Sequence, residues 1–291
     1  MNLIEKKKKL VLFSLGVLFI GNILVWSVVF ELNKDKFLEV NFFDVGQGDA
    51  IFIQAPKRTQ ILIDGGPSSK VLEKLGKEMS FWDRTIDLII LSHPEKDHIS
   101  GLIEVLKRYK VENILWTGVV RDTAEYEEWL NLIKEEGADV KIAQAGGKIL
   151  LGNAEIEILY PFKNMEGKEL KDSNDSSVVA KLIFGDNSFL FTGDAGEKTE
   201  KTIMGELVSL GSDVLKIGHH GSKYSSTEEF IKAVSPEIAV IEVGKDNSYG
   251  HPTAEVLDRL LKYGIDILRT DQNGDIKIIS DGKNLKINFN N

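Results

Sequence analysis

The distribution of apolar residues divides the chain near residue 30. Leu10 to Phe30 form 21 consecutive residues without a charge; as a helix they would extend about 31 Å, close to the thickness of a bilayer's hydrocarbon core. Beyond a short charged stretch, ELNKDK, the periodicity shortens. Leu38–Phe43 and Ala50–Gln54 read as strands around the turn-forming Gly46-Gln47-Gly48-Asp49. Gln60–Ile63 is a third strand, ended by Asp64-Gly65-Gly66. A helix over Ser69–Met79, a strand Asp87–Leu91 and a helix from about Ser100 to Tyr109 follow. Strand Asn113–Trp116, the Glu-rich helix Glu125–Glu136 and strand Val140–Ala143 complete the first half. The second half has strands Glu155–Leu159, Val178–Phe184 and Ser188–Thr192, a helix, and strand Val214–Ile217. Helix Thr227–Ala233, strand Ile238–Val243, helix Ala254–Tyr263 and closing strands near Ile267 and at Ile276–Ser280 end it. Each half begins with strands and then alternates strands with helices, the pattern of a layered α/β protein. With no Pro- or Ser-rich linker between the halves, residues 38–291 read as one domain. A basic tail (1–9), an anchor (10–30) and a linker (31–37) precede it.

The apolar segment reads as an uncleaved anchor. It is apolar on all faces, unlike a core helix with one wet side, and no A-x-A-like cleavage site follows in VVFELNKDKF. Lys6 to Lys9 should stay on the cytoplasmic side, which makes the chain a single-pass cell-membrane protein with its domain extracytoplasmic. Residues 1–30 carry four lysines against one glutamate, so the −9 of the whole chain leaves −12 on the remainder. A body that acidic lacks the basic stripe of a nucleic-acid-binding surface. Cysteine is absent. Disulfides and thiolate metal sites are thereby excluded, and any metal must be held by His, Asp, Glu or Asn.

All five histidines fall in loops that follow expected strands, or at their ends. Ser92-His93-Pro94-Glu95-Lys96-Asp97-His98 follows the apolar DLIIL. In an extended loop His93 and Glu95 point the same way, while Asp97 and His98 sit where the chain turns into a helix. One loop thus offers two pairs of N/O donors, suited to two metals ~3.5–4 Å apart. Phe191-Thr192-Gly193-Asp194-Ala195 ends another strand, and its carboxylate could bridge two cations; taken alone, an Asp there is more often a turn or a helix cap. Lys216-Ile217-Gly218-His219-His220-Gly221-Ser222 follows a third strand. If extended, its two histidines point apart, one to metal and one to substrate or to a supporting position. Tyr249-Gly250-His251-Pro252 reads by itself as either a surface loop or part of the same site.

HPEKDH resembles the His-x-His-x-Asp-His signature of metallo-β-lactamase-fold hydrolases. VGQGDA (Val45–Ala50), DGG (Asp64–Gly66), NDSSVV (Asn174–Val179), FTGDA, GHHGS and YGHP resemble the ComEC-type competence-protein branch, and the likeness covers about residues 38–280. It implies a four-layer αββα sandwich with the metals at one edge, between the sheets. It also implies roles. His93 would bind the first metal with Glu95 near it, Asp97 and His98 the second, Asp194 would bridge, and His219 would complete a shell. Asn174 stands where many relatives supply another histidine, and with Ser222 it is a candidate substrate contact. Two departures matter. Glu95 replaces the His of the general signature and the Asp more usual in the branch, which would shift or weaken the first metal. ComEC-type proteins also carry a multi-helix membrane channel, whereas this chain has one candidate span.

The function so implied is hydrolysis of a phosphodiester, with DNA or another nucleic acid as the substrate the branch suggests. Two divalent cations, Zn²⁺ or Mn²⁺, would make hydroxide available near neutral pH. Asp97 holds a metal in that chemistry, and His220 or His251 would stabilise or protonate the leaving oxygen. The acidic, outward-facing body keeps choline-phosphate or teichoic-acid-like esters as an alternative. A non-catalytic surface-binding module that keeps its metals for structure is a reading from another class. Five histidines and the Asp97–Asp194 pair favour catalysis, and the motif details do not favour a β-lactamase proper.

Overall fold

A computed structural model describes residues 3–34 and 36–290. Residues 1, 2, 35 and 291, which fall in the expected tail, linker and domain, lie outside the described residues. Helix α1 (Leu3–Lys34) runs through the expected anchor and over the first four residues of the expected linker. Among the described residues it holds one stretch long and apolar enough to cross a membrane, Glu5–Val29, none of whose apolar window is buried against the protein.

The first half of the domain runs β1 (Leu38–Phe42), β2 (Ile51–Ala55), β3 (Thr59–Ile63), α2 (Lys70–Glu78), β4 (Thr85–Ile90), α3 (Lys96–Leu106), β5 (Lys110–Trp116), α4 (Ala124–Glu136) and β6 (Asp139–Ile142). The second begins with β7 (Lys148–Leu151), β8 (Ala154–Tyr160), β9 (Val179–Phe184), β10 (Asn187–Phe191), α5 (Glu197–Met204), β11 (Val214–Lys216), α6 (Glu228–Val234) and β12 (Ile238–Ile241). It closes with α7 (Ala254–Lys262), β13 (Asp266–Arg269), the single turn α8 (Thr270–Asn273), β14 (Asp275–Ser280) and β15 (Leu285–Asn290). Two sheets result, ordered β15-β14-β1-β2-β3-β4-β5-β6 and β13-β12-β11-β10-β9-β8-β7.

Strand parity separates the layers. Successive side chains point to opposite faces, so Val40, Ile53, Ile61 and Ile90 meet Ile156, Leu182, Phe189 and Val240 between the sheets. Their neighbours Phe52, Leu62 and Ile89 turn outward onto Leu75 of α2, Leu102 of α3 and Trp129 of α4. On the other sheet Leu190, Leu215 and Ala239 meet Ile203 of α5, Phe230 of α6 and Val256 of α7. Helices thus cover both outer faces, the αββα sandwich that the resemblance implied.

Strand direction then fixes where the chemistry sits. β1, β2 and β3 pair antiparallel and β3, β4 and β5 parallel, so β1, β3 and β4 run the same way. Phe42, Ile51, Ile63 and Ile90 are neighbours in register at one end of the sheet. Asp64 and the Ser92–His98 loop leave from that end. β10, β11 and β12 are parallel in the other sheet, and Asp194 and His219–His220 follow β10 and β11 in the same manner.

Helix α3 starts at Lys96, four residues before the position expected. Lys96, Asp97 and His98 add nothing apolar to its period, yet the amides of His98 and Ile99 already bond to the Glu95 carbonyl at 3.0 and 2.9 Å. Strands β7 and β15 were not expected. Both are edge strands that carry lysine, Lys148 and Lys286, the charge that guards an edge and hides its strand signal.

One backbone contact seats α3 against the loop after β3. The amide of Gly65 donates to the His98 carbonyl at 2.8 Å, and that of Gly101 to the Gly66 carbonyl at 2.9 Å. A Cβ on Gly101 would stand 1.7 Å from the Gly65 oxygen. We expect Gly101→Ala to cost at least about 1–3 kcal/mol, the scale of overpacking. Gly76→Ala, in an exposed position of α2 with open space around it, should gain about 0.5–1 kcal/mol. Thermal unfolding followed by circular dichroism reads both, and an unchanged Gly101→Ala transition would mean that the two backbones have room to part.

Candidate metal centre

The loops after β3 and β4 build the first half of the site as one hydrogen-bonded unit. Asp64, buried and in the left-handed region (φ 56°), accepts from the Ser92 amide at 2.7 Å and the Ser92 hydroxyl at 2.6 Å. Its second oxygen also lies 2.8 Å from His98 Nδ1. The Ser92 hydroxyl, having given its proton to Asp64, accepts from His93 Nδ1 at 2.9 Å. Both imidazoles are therefore held through Nδ1 and present Nε2 inward. His220 is held likewise, its Nδ1 donating to the Glu242 carbonyl at 2.9 Å. The Gly46–Asp49 turn closes over the unit from β1: a Cβ on Gly48 (φ 143°) would lie 2.2 Å from the Asp97 carbonyl oxygen.

The Nε2 atoms of His93, His98 and His220, with Asp194 Oδ1, are buried and without hydrogen-bond partners. They converge. His98 Nε2 lies 3.5 Å from Asp194 Oδ1, His220 Nε2 3.7 Å and His93 Nε2 3.9 Å from Asp194 Oδ2, and His220 Nε2 3.3 Å from Asp97 Oδ2. One donor atom from each of Asp97, His98, Asp194 and His220 lies within 4.8 Å of the others. Buried imidazole nitrogens and carboxylate oxygens aimed at one point, each imidazole braced through its other nitrogen, fit a divalent cation that displaces their protons.

The adjacent histidines do not diverge as an extended chain would require. His219 and His220 both take left-handed backbone, φ 48° and 53°, conformations that cost on the order of 1–3 kcal/mol each outside glycine. As a result both Nε2 atoms lie 3.7 Å from Asp194 Oδ2, His220 from the buried side and His219, 37% exposed, from the open side. Glu95 is engaged at the cavity wall: Oε1 pairs with Arg121 at 2.7 Å and accepts from the Ser173 hydroxyl. A cavity of about 220 Å³ opens over the cluster. Asn174, His219, Tyr249 and His251 are on its wall, with Asp172 and Glu95. The His251 ring stands 5.9 Å from that of His219 and 6.0 Å from that of Tyr249. Ser222 is buried beneath the histidine turn, its amide donating to the His219 carbonyl, and is not among the residues lining the cavity.

Four charged residues assigned no role from sequence support this group from below. Besides Asp64, Asp49 forms a buried ion pair with Lys216 and lies 3.3 Å from His220 Nδ1. Lys216 Nζ also donates to the Gly193 carbonyl at 3.0 Å, and Glu242 accepts from the Ala50 amide at 2.9 Å. The signal for Lys216 and Glu242 was a lone charge inside an apolar strand, VLK and IAVIEV, which a protein buries only with a partner.

Electrostatics divides the histidines. Burial, with His98 beside it, pushes the His93 imidazole down to about 3. Burial also opposes charge on His220, but Asp194 and Asp49 outweigh it and hold the ring up at about 10. His98 is raised well above its ordinary value: burial is overcome by Asp194, Asp64 and Asp97. Asp194 is lowered far below the usual carboxylate range, burial being outweighed by His220 and His98. In the metal-free protein two imidazolium rings thus supply the positive charge that these carboxylates need. On the open side, burial and the neighbouring His219 lower His251, leaving it neutral at pH 7.

Comparison with known proteins agrees with this geometry. The metallo-beta-lactamase superfamily model matches residues 43–244. ComE operon protein 3 of Bacillus subtilis is 34% identical over 257 residues, 82% of this chain and 32% of that protein. Competence protein ComA of Neisseria gonorrhoeae is 32% identical over 81% of this chain and 31% of its own length. The chain spans about a third of the length of the curated relatives it matches. Among solved structures, the metallo hydrolase Igni18 of Ignicoccus hospitalis superposes with a TM-score of 0.53 at 18% identity, covering 83% of this chain and 98% of that one. YhfI of Bacillus subtilis, a metallo-beta-lactamase fold protein, gives 0.52 at 13% identity, over 79% and 95%. The chain belongs to the metallo-β-lactamase superfamily of metal-dependent hydrolases, in the branch of the ComEC-type competence proteins.

Proposed function

We propose that the chain is a two-metal phosphodiesterase acting on nucleic acid outside the cell, held at the membrane by α1. The observation that carries the reading is the set of buried, unpartnered Nε2 atoms around Asp194 at the floor of an open cavity. Asp97, His98 and His220 would hold one ion and His93 and His219 the other, with Asp194 shared. Divalent ions so held acidify water and neutralise charge on a phosphate. The chain's own part is to orient the ester. Asn174 offers an amide to a non-bridging oxygen, and the neutral His251 offers a hydrogen bond to the leaving oxygen, which takes its proton from solvent. Names such as competence protein, carried by relatives, support a nucleic-acid substrate. The acidic wall, with Asp172 and Glu95, supports a second reading, an ester with a cationic leaving group such as choline-phosphate.

Four outcomes test the proposal. The protein should bind two divalent ions, measured by plasma mass spectrometry, and Asp194→Ala should lose both. Because His98 and His220 are held protonated at pH 7, metal binding should release protons and tighten as pH rises towards about 10. Calorimetry in buffers of different ionisation enthalpy reads that release, and buffer-independent heats would contradict the assigned charge states. In turnover, Asp97→Asn should abolish cleavage of a phosphodiester panel, DNA and a diester of choline-phosphate included. His251→Ala should keep its ions and slow by ~10²–10³-fold, the scale of one lost hydrogen-bond donor to developing charge; an undiminished rate in Asp97→Asn would end the mechanism. For topology, protease added to wall-stripped cells should digest the domain, and its protection would place it in the cytoplasm.

A further inference from the structure

The end of the sandwich opposite the metal centre carries a second feature. Phe81 and Trp82, in the connection from α2 to β4, are 85% and 83% exposed. Two adjacent large aromatics are rarely left that bare on a water-facing surface without a partner. Their place in the fold follows from strand direction. β1, β3 and β4 run the same way, so the starts of all three lie together, away from Asp64, His93 and Asp194. Leu38, the first residue of β1, is the point at which the chain arrives from α1. Trp82 and Phe37 line one cavity of about 490 Å³ with Glu39, Gln54, Arg58 and Lys277.

Chain length ties this end to the bilayer. The apolar run ends at Phe30, helix α1 continues to Lys34, and β1 begins at Leu38. The four helical residues rise about 6 Å, and the next four can span at most about 14 Å. The base of the domain is therefore confined within roughly 20 Å of the hydrocarbon edge, where headgroups occupy the first several ångströms. Charge at this end is mixed. Lys36, Lys57, Arg58, Arg84 and Lys110 are exposed here. Acids lie among them: Glu39 and Glu78 share Lys277, Asp83 accepts from the Gln60 amide at 2.6 Å, and Asp87 and the exposed Glu112 are beside it. Tryptophan flanked by cations is the composition that settles at the headgroup level.

We propose that this end is a membrane-resting foot, with Phe81 and Trp82 seated among lipid headgroups beside the anchor and the metal centre held on the far side. Strands of five or six residues place the metal centre roughly 20 Å above the foot. The cavity over Asp194 then opens away from the bilayer, towards a soluble or polymeric ester and not towards lipid phosphates.

The inference rests on the anchor reading of α1, and the experiment separates the two. The chain has no cysteine, so single spin labels can be placed in the full chain at Ser80→Cys, Val25→Cys and Lys198→Cys. The carriers are vesicles of phosphatidylethanolamine and phosphatidylglycerol. Collision with oxygen and with a water-soluble nickel chelate is read at each label. Expected is a label at 25 shielded from nickel and open to oxygen, one at 198 fully open to nickel, and one at 80 several-fold less open to nickel than 198. Adding Phe81→Ser and Trp82→Ser should return the label at 80 to the value at 198; both side chains are exposed, so folding is not at stake. A label at 80 as open to nickel as that at 198, with 25 still in lipid, would overturn the foot and leave the anchor standing. Shielding of 80 from both reagents with spin–spin broadening would assign the surface to a second copy instead. A water-exposed label at 25 would remove the anchor and the foot with it.

Discussion

The constraint on which this structure depends is the burial of carboxylates at one edge of two apolar sheets. Asp49, Asp64 and Asp194 are each 1–3% exposed. A buried carboxylate without a counter-charge is untenable in a protein interior. The fold answers with Lys216, which is itself buried and raised in pKa by Asp49, Asp194 and Glu242 despite the opposing effect of burial. Glu242 is pushed well above the carboxylate range by burial and by Asp49. One lysine cannot balance the rest. His98 and His220 carry the remaining charge until cations replace their protons. Metal affinity is thus built from the same imbalance that would otherwise destabilise the edge.

Strand direction converts that local chemistry into an oriented molecule. In each sheet the loops leaving the ends of parallel strands carry the donors, so the two halves deliver His93–His98 and Asp194–His220 to one seam without any ligand reaching across the core. The opposite ends of those strands are left free of chemistry. There the chain enters from α1, and there the exposed aromatics lie. A single topological fact, that β1 runs with β3 and β4, sets both faces apart.

Much of this was legible in the sequence because both fold and ligands leave period-two patterns. Apolar strands ending abruptly in SHPEKDH, GDA and HHG announced the loops. The motifs also led to His93, Asp97, His98 and Asp194, which the structure gathers in one cluster. Less legible were features decided by backbone conformation. The sharing of Asp194 between both adjacent histidines depends on two left-handed residues, which sequence spacing does not encode. The orientation of Glu95 depends on Arg121, a partner 26 positions away, on a loop whose approach no local pattern announces. Edge strands β7 and β15 were hidden by the lysines that protect them.

The acidity of the body bears on how a polyanion could use this site. With −12 on residues 31–291, the domain as a whole repels phosphate, and the cavity wall adds Asp172 and Glu95. Arg121, the nearby guanidinium, is already committed to Glu95. Any attraction for a phosphodiester must therefore come from the floor, where charge is set by the occupancy of the His–Asp cluster. Two imidazolium rings there are locked among carboxylates and offer little outward field, whereas divalent ions would present net positive charge at the cavity base. On the proposed reading, substrate binding and catalysis would depend on the same ions, and a metal-free protein would lack both the activated water and the charge that brings the ester in.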